Sequence, residues 1–141
     1  MTLAPETLVV HLRIVGVLMA ALVLVNLCVP AHLRWREELA RLSLVNRQIV
    51  QVHSAFIVLT LGLLSALLLT TAGALLEPSP LGRAVLLGLT VFWTARLLIQ
   101  WFFYSPEIWR GDRFRTAIHY AFSATWAYVA AVFAVALWST S

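Results

Sequence analysis

Four long apolar runs, at about 8–29, 49–75, 82–104 and 116–138, are separated by short segments rich in arginine, proline and glutamate. No formal charge occurs between Gln48 and Leu76. A helix needs roughly 20 largely apolar residues to cross the hydrocarbon core of a bilayer, and each run meets that length. The pattern predicts an all-α integral membrane four-helix bundle. The loops are short, which favours up-down-up-down topology with neighbouring helices antiparallel. No linker, low-complexity tract or internal repeat interrupts the chain, so 1–141 reads as one four-helix transmembrane domain.

The breaks between runs carry helix-ending and helix-starting chemistry. Pro30 ends the first run, because proline cannot continue a helix ladder. Glu77-Pro78-Ser79-Pro80 ends the second, and Ser79 before Pro80 is an N-cap followed by a first-turn proline. Ser105-Pro106-Glu107 repeats that signal and opens a surface turn. Between the first two runs, Leu33 to Leu44 interleaves leucine with Arg34, Arg36, Glu37, Glu38 and Arg41. Glu37 and Arg41 are spaced for a helical i,i+4 pair. This segment reads either as a short amphipathic helix on the membrane surface or as a plain polar hairpin loop.

Composition agrees with a membrane setting. The chain is 62% hydrophobic and 11% charged, against roughly 25% charged in soluble domains. The net charge of +4 does not point to nucleic acid, because the arginines lie in loops, where lipid headgroups and the insertion machinery read them. Arg34, Arg36, Arg41 and Arg47 lie in the first loop and Arg110, Arg113 and Arg115 in the third, whereas the second holds only Arg83. The positive-inside rule then puts loops one and three in the cytoplasm and both termini outside, as in a multi-pass protein of the cell inner (plasma) membrane. Trp35 and Trp109 flank the cytoplasmic surface, and Trp138 suits the outer one. Met1 to Val10 has no basic residue and no small-residue cleavage site follows the first run, so that run is expected to stay as a helix rather than act as a signal peptide. Cys28, the single cysteine, rules out an internal disulfide and gives no CxxC signature.

Ionisable groups inside a span cost roughly 2.5–3.5 kcal/mol on insertion scales and normally face the bundle interior. Trp93, Arg96, Gln100 and Tyr104 recur at spacings that place them on one helix face. His53 and Asn46 share a face near the start of the second helix. His119, with Ser123 and Trp126 continuing its face, lies near the start of the fourth, and Asn26 near the end of the first. Asn26, His53, Arg96, Gln100 and His119 are all expected in the cytoplasmic half, where inward-turned faces would gather them. His11 and Arg13 belong to the opposite end.

Three readings of the cluster stand side by side. It holds the helices in register through polar contacts. It binds a small amphipathic or anionic ligand, such as a quinone or a lipid headgroup, through Arg96, Gln100, His53, His119, Asn26 and Tyr104, because the guanidinium fork suits bidentate recognition and histidine adds a hydrogen bond or proton. Or it binds a b-type haem in an electron-transfer protein, with His53 and His119 as axial ligands and an arginine near the propionates. The six acidic residues all fall in tails or loops, so no metal site and no carboxylate-based proton pathway is expected, and no catalytic constellation is visible. Ala66 and Thr70, and the pairs Ala127–Ala131 and Ala130–Ala134, are small-residue contacts that suit packing within the chain, a homodimer, or an accessory subunit of a larger membrane complex.

Overall fold

The structure, a computed structural model, describes residues 4–32, 35–105, 107 and 111–140; of residues 29–32 and 36 it describes the backbone alone. The roles expected of Arg34, Pro106, Trp109 and Arg110, and of the Arg36 side chain, therefore lie outside the described residues. The chain is all-α, with no strand among the described residues. Its helices are α1 (Pro5–His32), α2 (Trp35–Ala40), α3 (Leu44–Leu75), α4 (Pro80–Phe102) and α5 (Arg113–Ser139). The four long ones are each long and apolar enough to cross a membrane. Their outward faces carry large apolar side chains such as Leu24, Leu63, Val91 and Phe102 in the open, which an apolar solvent tolerates and water does not.

The helix ends follow local chemistry. Ser79 caps α4 by accepting a hydrogen bond from the Gly82 N–H at 3.0 Å, with Pro80 in the first turn. α5 begins at Arg113, three residues before the apolar run. Asp112 is its N-cap, and Oδ1 accepts from the N–H groups of Phe114 and Arg115 at 2.9 and 3.1 Å. Gly111 supplies the positive φ of 89° that turns the chain into this cap. α1 does not stop at Pro30 but continues to His32. Proline removes only one N–H from the ladder, and the last turn of a helix loses little by it. α2 occupies the middle of the first loop, with Glu37 and Glu38 exposed and Leu39 half-buried. It ends at Ala40, so Arg41 falls in the following turn instead of completing a helical i,i+4 spacing.

Two compact units divide the chain: Leu12–Ala72, and Met1–His11 together with Gly73–Ser141. In the first, Leu12, Val15, Met19 and Leu22 form the buried stripe of α1, at helical spacings of three and four. Gly16 sits on the same face. A Cβ there would lie 3.0 Å from Leu69 Cγ and 3.2 Å from Leu68 Cβ. The missing side chain lets the backbones of α1 and α3 approach, and Ser65 Oγ donates to the Gly16 carbonyl at 2.9 Å across the gap. This is the small-residue, polar-contact packing of membrane helices. Cys28 is exposed on α1. Near the end of α3, Thr70 and Thr71 donate to the carbonyls of Ala66 and Leu67, and Thr71 leaves helical geometry (φ −121°, ψ 15°). Threonine back-bonding of this kind bends helices.

In the second unit, α4 and α5 pack antiparallel. Trp93 faces Trp126 and Gln100 faces His119, so seven residues forward on one helix match seven back on the other. Leu86, Val129 and Phe133 are fully buried, as is Leu8 from the start of α1. His11 and Tyr128 share a hydrogen bond of 2.8 Å that ties α1 to α5.

Candidate functional site

α4 presents Trp93, Arg96, Gln100 and Tyr104 along one stripe. Trp93 and Gln100 are buried, Arg96 is half-buried and Tyr104, just beyond the helix, is partly exposed. Arg96 lies six residues inside the Phe102 end of α4 and His119 six residues inside the Arg113 start of α5, about 9 Å along each axis from the turn that joins them. The two helices thus bring these groups to the same level.

A polar chain crosses the helix pair there. Arg96 Nη1 donates to Gln100 Oε1 at 3.1 Å. Gln100 Nε2 lies 3.0 Å from His119 Nδ1. The chemistry of each end decides the direction of the whole. Guanidinium nitrogens only donate, so the amide oxygen must face Arg96 and the amide nitrogen must face His119. An amide nitrogen also only donates, so His119 Nδ1 accepts and the ring proton sits on Nε2. One rotamer of Gln100 therefore fixes a histidine tautomer on the neighbouring helix. Ser123 Oγ donates to the His119 carbonyl at 2.8 Å, one turn further on.

Aromatic rings support the arginine from beneath. Arg96 Cζ stands 4.9 Å from the centroid of Trp126, within cation–π range. Trp126 is stacked on Trp93 at 5.1 Å and on Phe122 at 5.7 Å, both at 22°. The indole N–H groups of Trp93 and Trp126 are buried and have no hydrogen-bond partner among the described residues; ring stacking brings this pair together.

Beside the polar chain is an open groove of about 310 Å³, lined by Arg96, Gln100, Tyr104, Arg115, Ile118, His119 and Phe122. Arg115, two residues into α5, forms an ion pair with Asp112 at 3.3 Å. No carboxylate lies in the groove lining, and among the described residues no carboxylate pairs with Arg96. No group of His, Cys, Asp and Glu side chains that could hold a metal ion occurs among the described residues.

No protein-family model, curated protein or solved structure matches this chain.

Of the side chains that sequence reasoning placed in one cluster, Arg96, Gln100, Tyr104 and His119 meet in this groove. Asn26 and His53 belong to the other compact unit, and each bonds within its own helix. Asn26 Nδ2 donates to the Leu22 carbonyl at 2.8 Å. His53 is exposed, and its Nδ1 donates to the Ile49 carbonyl at 2.8 Å. Arg115, Ile118 and Phe122 were not anticipated as lining. The signal was available: all three lie within one turn of His119, and Ile118 and Phe122 flank it. The His11–Tyr128 bond was also missed, because nothing in the pattern singles out Tyr128.

Proposed function

We propose that this protein is a multi-pass membrane protein that binds a small amphipathic ligand in the groove between the ends of α4 and α5. The observation that carries this reading is the fixed chain from Arg96 through Gln100 to His119, lying along a groove with Ile118 and Phe122 on its wall. A cation kept inside an apolar span is costly. Arg96 lines an open groove, where an entering headgroup can reach its guanidinium. Polar groups for a headgroup sit beside apolar groups for a chain or ring, which is the usual make-up of a small-molecule site.

The arginines of segments 34–47 and 110–115 support, by the positive-inside rule, a cytoplasmic setting for the turn between α4 and α5, with both termini outside. The ligand would reach the groove from the inner leaflet. Ordinary packing accounts for Ala130, which is buried, while Ala127, Ala131 and Ala134 are exposed on α5 and leave a homodimer or larger complex to be tested separately.

The test is ligand-induced stabilisation. The purified protein in neutral lipid nanodiscs is titrated with short-chain ubiquinone, oleate and phosphatidylglycerol, and intrinsic tryptophan fluorescence and thermal unfolding are followed. Saturable binding that weakens at least tenfold in Gln100→Leu supports the site. If none of the three raises the unfolding temperature or changes the fluorescence, the reading fails. A visible spectrum of the same sample, with and without added haem, settles the haem alternative: no Soret band on the protein removes it.

A further inference from the structure

The groove carries more information than its shape. Its hydrogen-bonding polarity and its charge both select among amphiphiles. The polarity follows from the chain that runs from Arg96 through Gln100 to His119. Arg96 and Arg115 have no acceptor. The one amide oxygen is held by Arg96 and the one imidazole lone pair by Gln100. Tyr104 is the single lining side chain with an oxygen not engaged in that chain. A ligand headgroup entering here meets an excess of donors, with the Tyr104 hydroxyl and the second lone pair of the Gln100 amide oxygen as the acceptors left, so an acceptor-rich headgroup fits best. Of the five N–H donors on Arg96, one is used by Gln100.

The charge is counted the same way. Arg115 is balanced by Asp112 at 3.3 Å. Among the described residues, Arg96 bonds to a neutral amide and stands over the face of an indole, and no carboxylate pairs with it. The described groove therefore carries one positive charge without a counter-charge, about 9 Å inside the helix ends, where an uncompensated cation is strongly disfavoured. One negative charge on the ligand removes that penalty. A neutral quinone leaves it in place, and a quinol adds donors where donors already stand. The volume of about 310 Å³ is at the small end of ligand pockets. It suits a headgroup and the first carbons of a chain, with the rest of the chain lying in the bilayer along Ile118 and Phe122.

Building on the ligand-binding reading above, we infer that the occupant is a monoanionic amphiphile, an oxyanion headgroup of single negative charge on an acyl chain, gripped by the Arg96 guanidinium. A fatty-acid carboxylate and a phosphodiester lipid share this chemistry.

The experiment uses the full chain in phosphatidylcholine nanodiscs. Binding of oleate, phosphatidylglycerol, additional phosphatidylcholine and ubiquinone is measured by native mass spectrometry and by ligand-induced thermal stabilisation at two salt concentrations. At least one of oleate and phosphatidylglycerol is expected to bind tenfold or more tightly than phosphatidylcholine and ubiquinone, and which one does so distinguishes the two sources. Arg96→Gln is expected to abolish that preference. Arg83→Gln, at the opposite end of α4, is expected to keep it, which separates the groove from general surface attraction. Should Arg96→Gln not fold, Ile118→Trp narrows the groove without touching the polar chain and is expected to weaken anion binding by a similar factor. Ubiquinone binding without anion preference would overturn the inference while leaving the ligand site standing. Anion binding unchanged in Arg96→Gln, or in Ile118→Trp where that is the variant that folds, would also overturn it. If no probe binds, both fall.

Discussion

Replacing Gln100 with leucine tests the polar chain directly. Leucine is close to glutamine in volume and Gln100 is 7% exposed, so the change opens little cavity and its effect is chiefly electrostatic. Two hydrogen bonds disappear, at 3.1 Å to Arg96 and 3.0 Å to His119. Hydrogen bonds between membrane helices average about 0.6 kcal/mol, with a ceiling near 1.7. Bonds to a charged partner run higher, at about 1.5–3 kcal/mol in proteins generally. The expected destabilisation is therefore about 1–3 kcal/mol. The assay is reversible unfolding in mixed micelles, read by tryptophan fluorescence, for Gln100→Leu and for a double-mutant cycle of Arg96→Met with His119→Leu. Coupling between the two end residues should be about 0.5–1.5 kcal/mol when Gln100 is present, and near zero when leucine replaces it. A Gln100→Leu variant within 0.3 kcal/mol of the parent would refute the chain as a structural unit. So would coupling that survives without Gln100, since Arg96 and His119 would then communicate by another route.

Three further outcomes follow from the same structure. Nitrogen NMR of labelled His119 should show the proton on Nε2, and Gln100→Glu should move it to Nδ1 or add a second proton, because a carboxylate accepts where the amide donated; an unchanged spectrum would break the argument from donor direction. Gly16→Val should destabilise by about 2 kcal/mol or more, since its Cβ already falls within 3.0–3.2 Å of Leu69 and Leu68 and overpacking of tight contacts costs about 1–3 kcal/mol; thermal unfolding equal to that of the parent would show the contact to be loose. Tyr128→Phe should cost about 0.5–1.5 kcal/mol through loss of the His11 bond and leave ligand titrations at the α4–α5 groove unchanged, with a shift in those titrations counting against the separateness of the two features.

Much of this protein was determined by its sequence alone. The four apolar runs set the four long helices, because a backbone in lipid must satisfy its own hydrogen bonds and an unbroken helix does so locally. Ser79-Pro80 set the start of α4 for an equally local reason. The stripe of Trp93, Arg96 and Gln100 was legible from helical period, and the matching depth of His119 from counting residues to the nearest turn. What the sequence could not determine was the partner of each polar face. In water, the apolar side of a helix shows which way it packs; in a bilayer, lipid is as apolar as a neighbouring helix, so Leu86 in the core and Leu87 in the open look alike in composition. Only the tertiary structure decided that Gln100 meets His119, that His53 and Asn26 turn to their own backbones, and that His11 finds Tyr128. Arg115 was a loop charge until Asp112 capped α5 and brought it to the mouth of the groove. Depth and face are properties of one helix, but a site is a property of two.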